Sequence, residues 1–311
     1  IPLQQSLADL GIAYKNFFDS LKGKRKGKKV GTPKFKKKLG KQSARFRIGG
    51  FSIKGDSVYL AKIGNISPVW SRELPSSPSS VTVVKDAANR YFLSFVVEIE
   101  PVQVEAKNHS IGIDLGIKTF AAMSNGEMLN SPNYSQLDKR LRRKQRQLAR
   151  QSKGSKRREK TRLQIAKLHN EIADTRKDFL HKLSTRVVNE NQVITLEDLN
   201  VSGMVKNRRL ARAISMQGWR EFRVLCEAKS EKLVRKFVVI SRWEPTSQIC
   251  SDCGYKWGKL DLSIRSVLCI SCGSEHDRDE NAAKNINKVG IGHCHDSKRT
   301  RIDRQTTLVA S

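Results

Sequence analysis

Four acidic residues stand out in a chain that is otherwise a polycation. Asp114 lies inside the apolar run IGIDLG, Glu197 closes VITLE, and Asp277 and Asp279 belong to the stretch HDRDENAAKN. A carboxylate embedded in an apolar run carries a large desolvation cost unless something compensates it. Taken singly, each reads as a strand-end acid capping the next helix. Brought together, three such acids repel one another unless cations neutralise them, which is the logic of a two-metal phosphodiester nuclease. Hard oxygen donors select Mg2+ or Mn2+. If a helix starts near Asp279, helical spacing puts Asp279, Ala282, Ala283 and Ile286 near one face. Asp277 then lies about 200° around, or in the preceding loop, and reads as a capping carboxylate.

Six cysteines supply the second chemistry. Cys250 and Cys253 form one C-x2-C pair, Cys269 and Cys272 another, with fifteen residues between and a glycine directly after each pair. Two such knuckles converge four thiolates on one tetrahedral Zn2+, and the glycines permit the tight turns. The pattern points to one structural zinc in a reducing compartment, not to a disulfide framework or a redox pair. A closed four-thiolate site leaves no position for a substrate, so it stabilises and does not catalyse. His276 follows a complete ligand set and is not needed as a ligand. Cys226 and Cys294 stand apart; His293, Cys294 and His295 fall in a terminal stretch that reads as a mobile tail.

The surrounding charge names the partner class. Sixty Lys and Arg against thirty Asp and Glu give a net +30, a field that recruits polyanions, nucleic acid first among them. No apolar run of about 18 residues and no signal-like segment appears, so the sequence offers no membrane partner. The cations are concentrated. Residues 22–41 hold eleven Lys or Arg and no acid, and residues 139–162 hold thirteen against the single acid Glu159. The first tract reads either as a solvated linker or as a phosphate-contacting arm, with Lys34, Phe35 and Lys36 as candidate contacts. The second reads as a nucleic-acid-facing helix with Arg140, Arg143, Arg146 and Arg150 along it.

Several elements must position these groups. An opening helix carries Leu3, Leu7, Leu10, Tyr14 and Phe17 at helical spacing. Short alternating runs follow from Phe46 to Glu100, namely FSI, SVYLAKI, SPVW, SVTVVK and RYFLSFVVEIE, which suggest a small β-barrel or sandwich closed by Pro101. Residues 110–129 read as a buried strand, a glycine turn, a second strand and a hairpin at Asn125-Gly126. A helical hairpin over 136–190 breaks near Gly154, and its second arm presents Ile165, Leu168, Ile172, Phe179, Leu183 and Val187 along one side. The strand QVITLE, a helix over Trp219–Val234, the strand FVVI at 237–240, the cysteine module and a last helix complete the order. Such an order predicts an α/β fold with an RNase H-like mixed sheet. The domain boundaries read as 1–45, 46–107, 108–247, 248–275, 276–289 and a tail at 290–311.

Four ordered motifs, GIDLGIKTFA, LEDLNVSGM, PTSQICSDCG and CGSEHDRDENAAKNI, resemble those of the TnpB proteins encoded by insertion sequences, small relatives of single-protein type V CRISPR nucleases. The resemblance covers about residues 30–288. GTPKF and the β-rich segment resemble the family's wedge region, and everything after residue 108 its RuvC domain with an inserted zinc ribbon. It implies catalysis by Asp114, Glu197 and Asp279, and an RNA-guided DNA endonuclease that takes a transposon-end RNA as guide and needs a short motif beside its double-stranded target. It also implies a cytoplasmic, nucleoid-associated setting in a prokaryote. Family members carry a first wedge strand and more recognition helices ahead of the point where Ile1 stands, so a fragment or a reduced start is expected. A guide-free RNase H-like nuclease or resolvase would share the carboxylates, and a DNA-binding repressor would share the scaffold but be expected to lose one of them.

Overall fold

The computed structural model describes residues 2–35, 40–261 and 263–306, with side chains described through residue 292. Lys36, one of the candidate phosphate contacts, lies outside the described residues, as do the side chains of His293, Cys294 and His295. The chain groups into two units. One joins the residues up to Glu100 with Leu137–Asn170; the other joins Pro101–Gln136 with the residues from Glu171 onward.

The first unit opens with α1 (Pro2–Leu21), whose leucines at 3, 7 and 10 stay exposed. Six strands follow: β1 (Gln42–Arg47), β2 (Phe51–Lys54), β3 (Ser57–Leu60), β4 (Gly64–Ile66), β5 (Ser80–Lys85) and β6 (Tyr91–Val96). They form two three-stranded antiparallel sheets, β1-β5-β6 and β2-β3-β4. Phe46 and Val81 from one sheet and Val58 and Leu60 from the other share a single core, so the two sheets pack as a sandwich. SPVW is not a strand. Trp70 instead folds over from a loop, stacks on Phe95 with centroids 5.5 Å apart and donates Nε1–H to the Asp56 carbonyl at 3.0 Å.

Beyond Pro101 the chain runs through β7 (Asn108–Leu115), β8 (Ala121–Met123), β9 (Met128–Leu129), α2 (Ser135–Ala149), α3 (Lys156–Glu190), β10 (Asn191–Glu197), α4 (Val201–Met204), α5 (Ala211–Gln217), α6 (Trp219–Lys232) and β11 (Lys236–Ile240). Two short strands, β12 (Ser266–Leu268) and β13 (Glu275–Asp277), lead into α7 (Arg278–Thr306). Sequence order assigns the basic hairpin to the sheet-bearing part. Instead, α2 and the first half of α3 group with the β-rich unit, where Asn170 donates to Asp86 at 2.7 Å.

The second unit is built on one mixed sheet in the order β11-β10-β7-β8-β9. β7, β8 and β9 are consecutive and antiparallel; β10 and β11 are parallel to β7 and are reached through helices. Strand alternation sends Ile111, Ile113, Ile194 and Leu196 to one face, where Leu180, Leu183 and Val187 of α3 and Phe222 and Cys226 of α6 cover them. Burying each of these large side chains contributes about 2 kcal/mol.

The opposite face carries Gly112 and Asp114 on β7, and Thr195 and Glu197 on β10, and it receives α7. A Cβ at Gly112 would collide with the Ala283 carbonyl oxygen, and one at Gly290 would collide with the Thr195 hydroxyl. Two glycines, one on the strand and one on the helix, therefore set how closely α7 approaches. The helix runs on to Thr306 rather than ending at residue 289 ahead of a mobile tail. Gly290, the first residue of the expected tail, serves here as a point of close packing.

Candidate active site and metal centre

β7 and β10 pair in parallel through Ile113 and Leu196. One residue further on, Asp114 and Glu197 stand at the ends of neighbouring strands, on the face that α7 covers. Asp279 enters from the first turn of α7. Ala282, Ala283 and Ile286 behind it are all buried, as their helical spacing predicts.

The electrostatics bind the three acids into one group. Burial first, and then the charges of Glu197 and Asp279, push the Asp114 carboxyl up to about 7; the Leu115 amide and Arg278 act in the opposite direction. Glu197 is also raised, first by burial and then by Asp198. A proton on Asp114 relieves its repulsion with Glu197 and Asp279. Near neutral pH this corner holds a proton that a divalent cation would displace.

Asp277 does something else. Its Oδ1 accepts from the backbone N–H groups of Asp279 at 2.9 Å and Glu280 at 3.0 Å, which makes it the N-cap of α7. Three arginines that the sequence pattern did not single out attend the site. Arg265 places Nη1 3.4 Å from both oxygens of Asp279. Arg242 and Arg223 both bind Asp198, the latter at 2.7 Å, and hold its carboxyl below the usual range. That clamp anchors the chain immediately after Glu197.

The cysteines form a separate centre. All four sulfurs lie within 4.8 Å of one another. Cys250 and Cys272 are 3.7 Å apart, and Cys253 and Cys269 3.6 Å. A tetrahedron with bonds of about 2.3 Å to a central zinc has edges of about 3.8 Å, so the spacing fits one ion and excludes S–S bonding. The two knuckles repeat each other. The Gly254 amide donates to the Cys250 carbonyl at 3.0 Å and the Gly273 amide to the Cys269 carbonyl at 2.8 Å, with φ of 78° and 74° at the two glycines. Hydrogen bonds with the Ser274 hydroxyl and amide lower the Cys272 thiol to about 6, which favours the thiolate a metal needs.

His276 is not required to complete four ligands, yet it is buried with Nε2 3.1 Å from the Cys250 sulfur. A thiolate can only accept, so Nε2 carries the proton in that contact. Asn281 and Asn285, also missed in the sequence, fix this centre to α7. Asn281 accepts from the Ser251 amide at 2.7 Å and donates to the Ile249 carbonyl at 2.7 Å; Asn285 donates to the carbonyls of Thr246 and Ile249 at 2.8 and 2.7 Å. Their spacing of four on an otherwise apolar helix face was the signal available.

Among the candidate nucleic-acid contacts, Lys34, Phe35, Arg140, Arg143, Arg146 and Arg150 are all exposed. On α2, Leu141 faces inward while Arg140 and Arg143 face out; Asp138 pairs with Arg142 at 2.9 Å. No helix is long and apolar enough to cross a membrane among the described residues.

Comparison with known proteins finds relatives across nearly the whole chain. The family model OrfB_IS605, described as "Probable transposase", matches residues 94–208, and "Cas12f1-like, TNB domain" matches residues 219–286. A Streptomyces pristinaespiralis protein named "Putative RNA-guided DNA endonuclease" is 40% identical over 99% of this chain and 76% of its own length. The Escherichia coli K12 protein "Putative RNA-guided DNA endonuclease InsQ" is 33% identical over 94% and 74%. A cryo-EM structure of a Cas12f1-sgRNA-target DNA complex superposes with a TM-score of 0.56 at 15% identity, covering 88% of this chain and 68% of that one, and so shares the fold. With a relative at 40% identity across nearly the whole chain, the protein belongs to the TnpB family.

Proposed function

We propose that this chain is an RNA-guided DNA endonuclease of an insertion sequence, and that Asp114, Glu197 and Asp279 are its catalytic carboxylates. The observation that carries the reading is their convergence on one face of a mixed sheet, two from the ends of adjacent parallel strands and one from the first turn of α7. Three consecutive antiparallel strands followed by two parallel ones support the RNase H-like, RuvC-type reading. The six-stranded sandwich corresponds to the wedge, and residues 248–275 to the zinc ribbon.

The donor set fits Mg2+ or Mn2+: hard oxygens, partly buried, in mutual repulsion. Two such ions, when bound, supply activation of the attacking water and stabilisation of the leaving 3′ oxygen. The chain's own part is to position and to hold protons. Asp114 would give up its proton on becoming a ligand, and Glu197 and Asp279 would complete the donor set. Asp277 fixes the start of α7, and so the place of Asp279. The Asp198 clamp with Arg223 and Arg242 holds the end of β10, and so the place of Glu197. The four thiolates would hold one Zn2+, and Asn281 and Asn285 tie the first knuckle to α7.

Specificity on this reading comes from base pairing with a guide RNA derived from the transposon end, while the protein reads backbone, shape and a short motif beside the target. Arg140, Arg143, Arg146 and Arg150 present an exposed cationic row suited to a nucleic-acid backbone, with Lys34, Phe35 and Lys36 as further contacts. The test is to purify the chain with its native flanking DNA in the expression host and to sequence the RNA that copurifies. A discrete RNA ending in variable sequence supports the reading, and a plasmid matching that sequence should be cut only with a divalent ion. Cleavage of DNA without any bound RNA would favour the guide-free nuclease instead.

A further inference from the structure

Of the four tryptophans, three serve the fold. Trp70 stacks on Phe95, Trp219 is buried in the main core, and Trp257 donates Nε1–H to the Ser247 carbonyl at 3.2 Å beside His276. Trp243 does none of this. The residue is 86% exposed.

Its location is fixed by the strand register. β11 ends at Ile240, which pairs directly with Glu197. Adjacent strands lie about 4.8 Å apart, and three further residues reach at most about 10 Å. The Trp243 backbone is therefore carried within about 15 Å of the carboxylate corner, a span of a few nucleotides. Its loop is tied down on both sides. Ser241 accepts from the Trp243 amide at 3.3 Å through its hydroxyl and from the Glu244 amide at 3.2 Å through its carbonyl. Arg242 binds Asp198, and the Asp198 amide donates to the Ile240 carbonyl at 3.0 Å. The residue before the indole is thus clamped to the residue after Glu197.

A large aromatic held out in water, at the edge where a phosphodiester must arrive, on a chain of net charge +30, has one occupant that suits its chemistry. We propose that Trp243 is a stacking platform for an unpaired nucleobase of the DNA strand led to Asp114, Glu197 and Asp279. Every base has a π face, so such a contact tolerates sequence while fixing the strand's depth in the site. The cationic surface holds the backbone, and the indole sets where along the strand the carboxylates act. The inference rests on the nuclease reading above.

The experiment compares the full chain with Trp243→Ala and Trp243→Phe on a mixed-sequence single-stranded DNA oligonucleotide and on a strand of equal length made of abasic residues, with Mg2+-dependent cleavage measured in parallel. Stacking predicts that binding quenches indole fluorescence in the parent chain, that Trp243→Ala binds the normal strand about 5- to 150-fold more weakly, and that Trp243→Phe recovers most of the loss. On the abasic strand the three should bind equally, and their melting temperatures should agree because the side chain packs against little. Equal affinity of parent and Trp243→Ala for the normal strand overturns the proposal, as does an equal loss on the abasic strand. A Trp243→Ala chain that changes oligomeric state instead shows that the indole contacts a second copy, which also overturns it. If the parent chain itself fails to cut, the nuclease reading has failed; if it cuts and Trp243→Ala binds like the parent, only the platform has.

Discussion

Replacing Asp114 with Asn should make the protein more stable while ending its activity. Burial and two neighbouring carboxylates move this group from an ordinary 3.8 to about 7, so between those values the folded chain binds a proton that the unfolded chain has released. Stability therefore falls as pH rises through that window and levels off above it. A tenfold change in proton affinity is worth about 1.36 kcal/mol, so the aspartate costs the fold up to about 4 kcal/mol above pH 7, and about 2 kcal/mol of that is already expressed at pH 5.5. The Asp114→Asn side chain has the same shape and no such linkage. Its advantage over the parent should grow by about 2 kcal/mol between pH 5.5 and pH 8. Urea unfolding in zinc-containing, magnesium-free buffer at both pH values measures this directly. Adding Mg2+ at pH 8 should raise the parent's stability and leave Asp114→Asn unchanged. Parallel pH profiles for the two proteins, or equal Mg2+ stabilisation of both, would refute the coupled-carboxylate reasoning.

The neighbouring contacts give further expectations. Asp277→Ala removes the acceptor for two backbone amides at the start of α7 and should cost about 1 kcal/mol, seen as a lower melting temperature with cleavage retained. Cys272→Ser should lose the bound zinc, measured by metal analysis at about one ion per parent chain, and any loss of activity should track loss of folded protein. Neutralising Arg140, Arg143 and Arg146 together should weaken nucleic-acid binding across sequences and reduce the slope of log affinity against log salt by up to about 3, without changing which target is cut.

The parts of the site that depend on strand and helix periodicity were legible in the sequence. Apolar runs around Asp114 and Glu197 put both in buried strands, and a helix starting near Asp279 leaves Asp277 as its cap. Matched C-x2-C-G spacing likewise announces its own geometry. What escaped is what depends on tertiary approach. Gly112 looks like any glycine in a strand until Ala283 and Asn287 are seen against it, and Gly290 falls at the start of the expected tail until Thr195 is seen against it. Arg265 meets Asp279 only because the hairpin β12-β13 brings the two together across the cysteine module. Asn281 and Asn285 read as ordinary polar helix positions, yet they are buried and bonded to the first knuckle. SPVW has strand composition, but Trp70 is recruited to cap a sandwich edge. The hairpin's grouping with the β-rich unit, where Asn170 meets Asp86, rests on tertiary contact that no local pattern encodes.

Catalysis by the acid at the start of α7, and not by the acid two residues earlier, can be read from a single comparison. The most direct measurement is cleavage of a guide-matched plasmid by the RNA-loaded chain in Mg2+, comparing the parent with Asp279→Ala and Asp277→Ala, with RNA and DNA binding followed alongside. The expected result is that the parent and Asp277→Ala cut while Asp279→Ala binds both nucleic acids and does not. An Asp279→Ala protein that still cuts, or a fully folded Asp277→Ala protein that is inert, would contradict it.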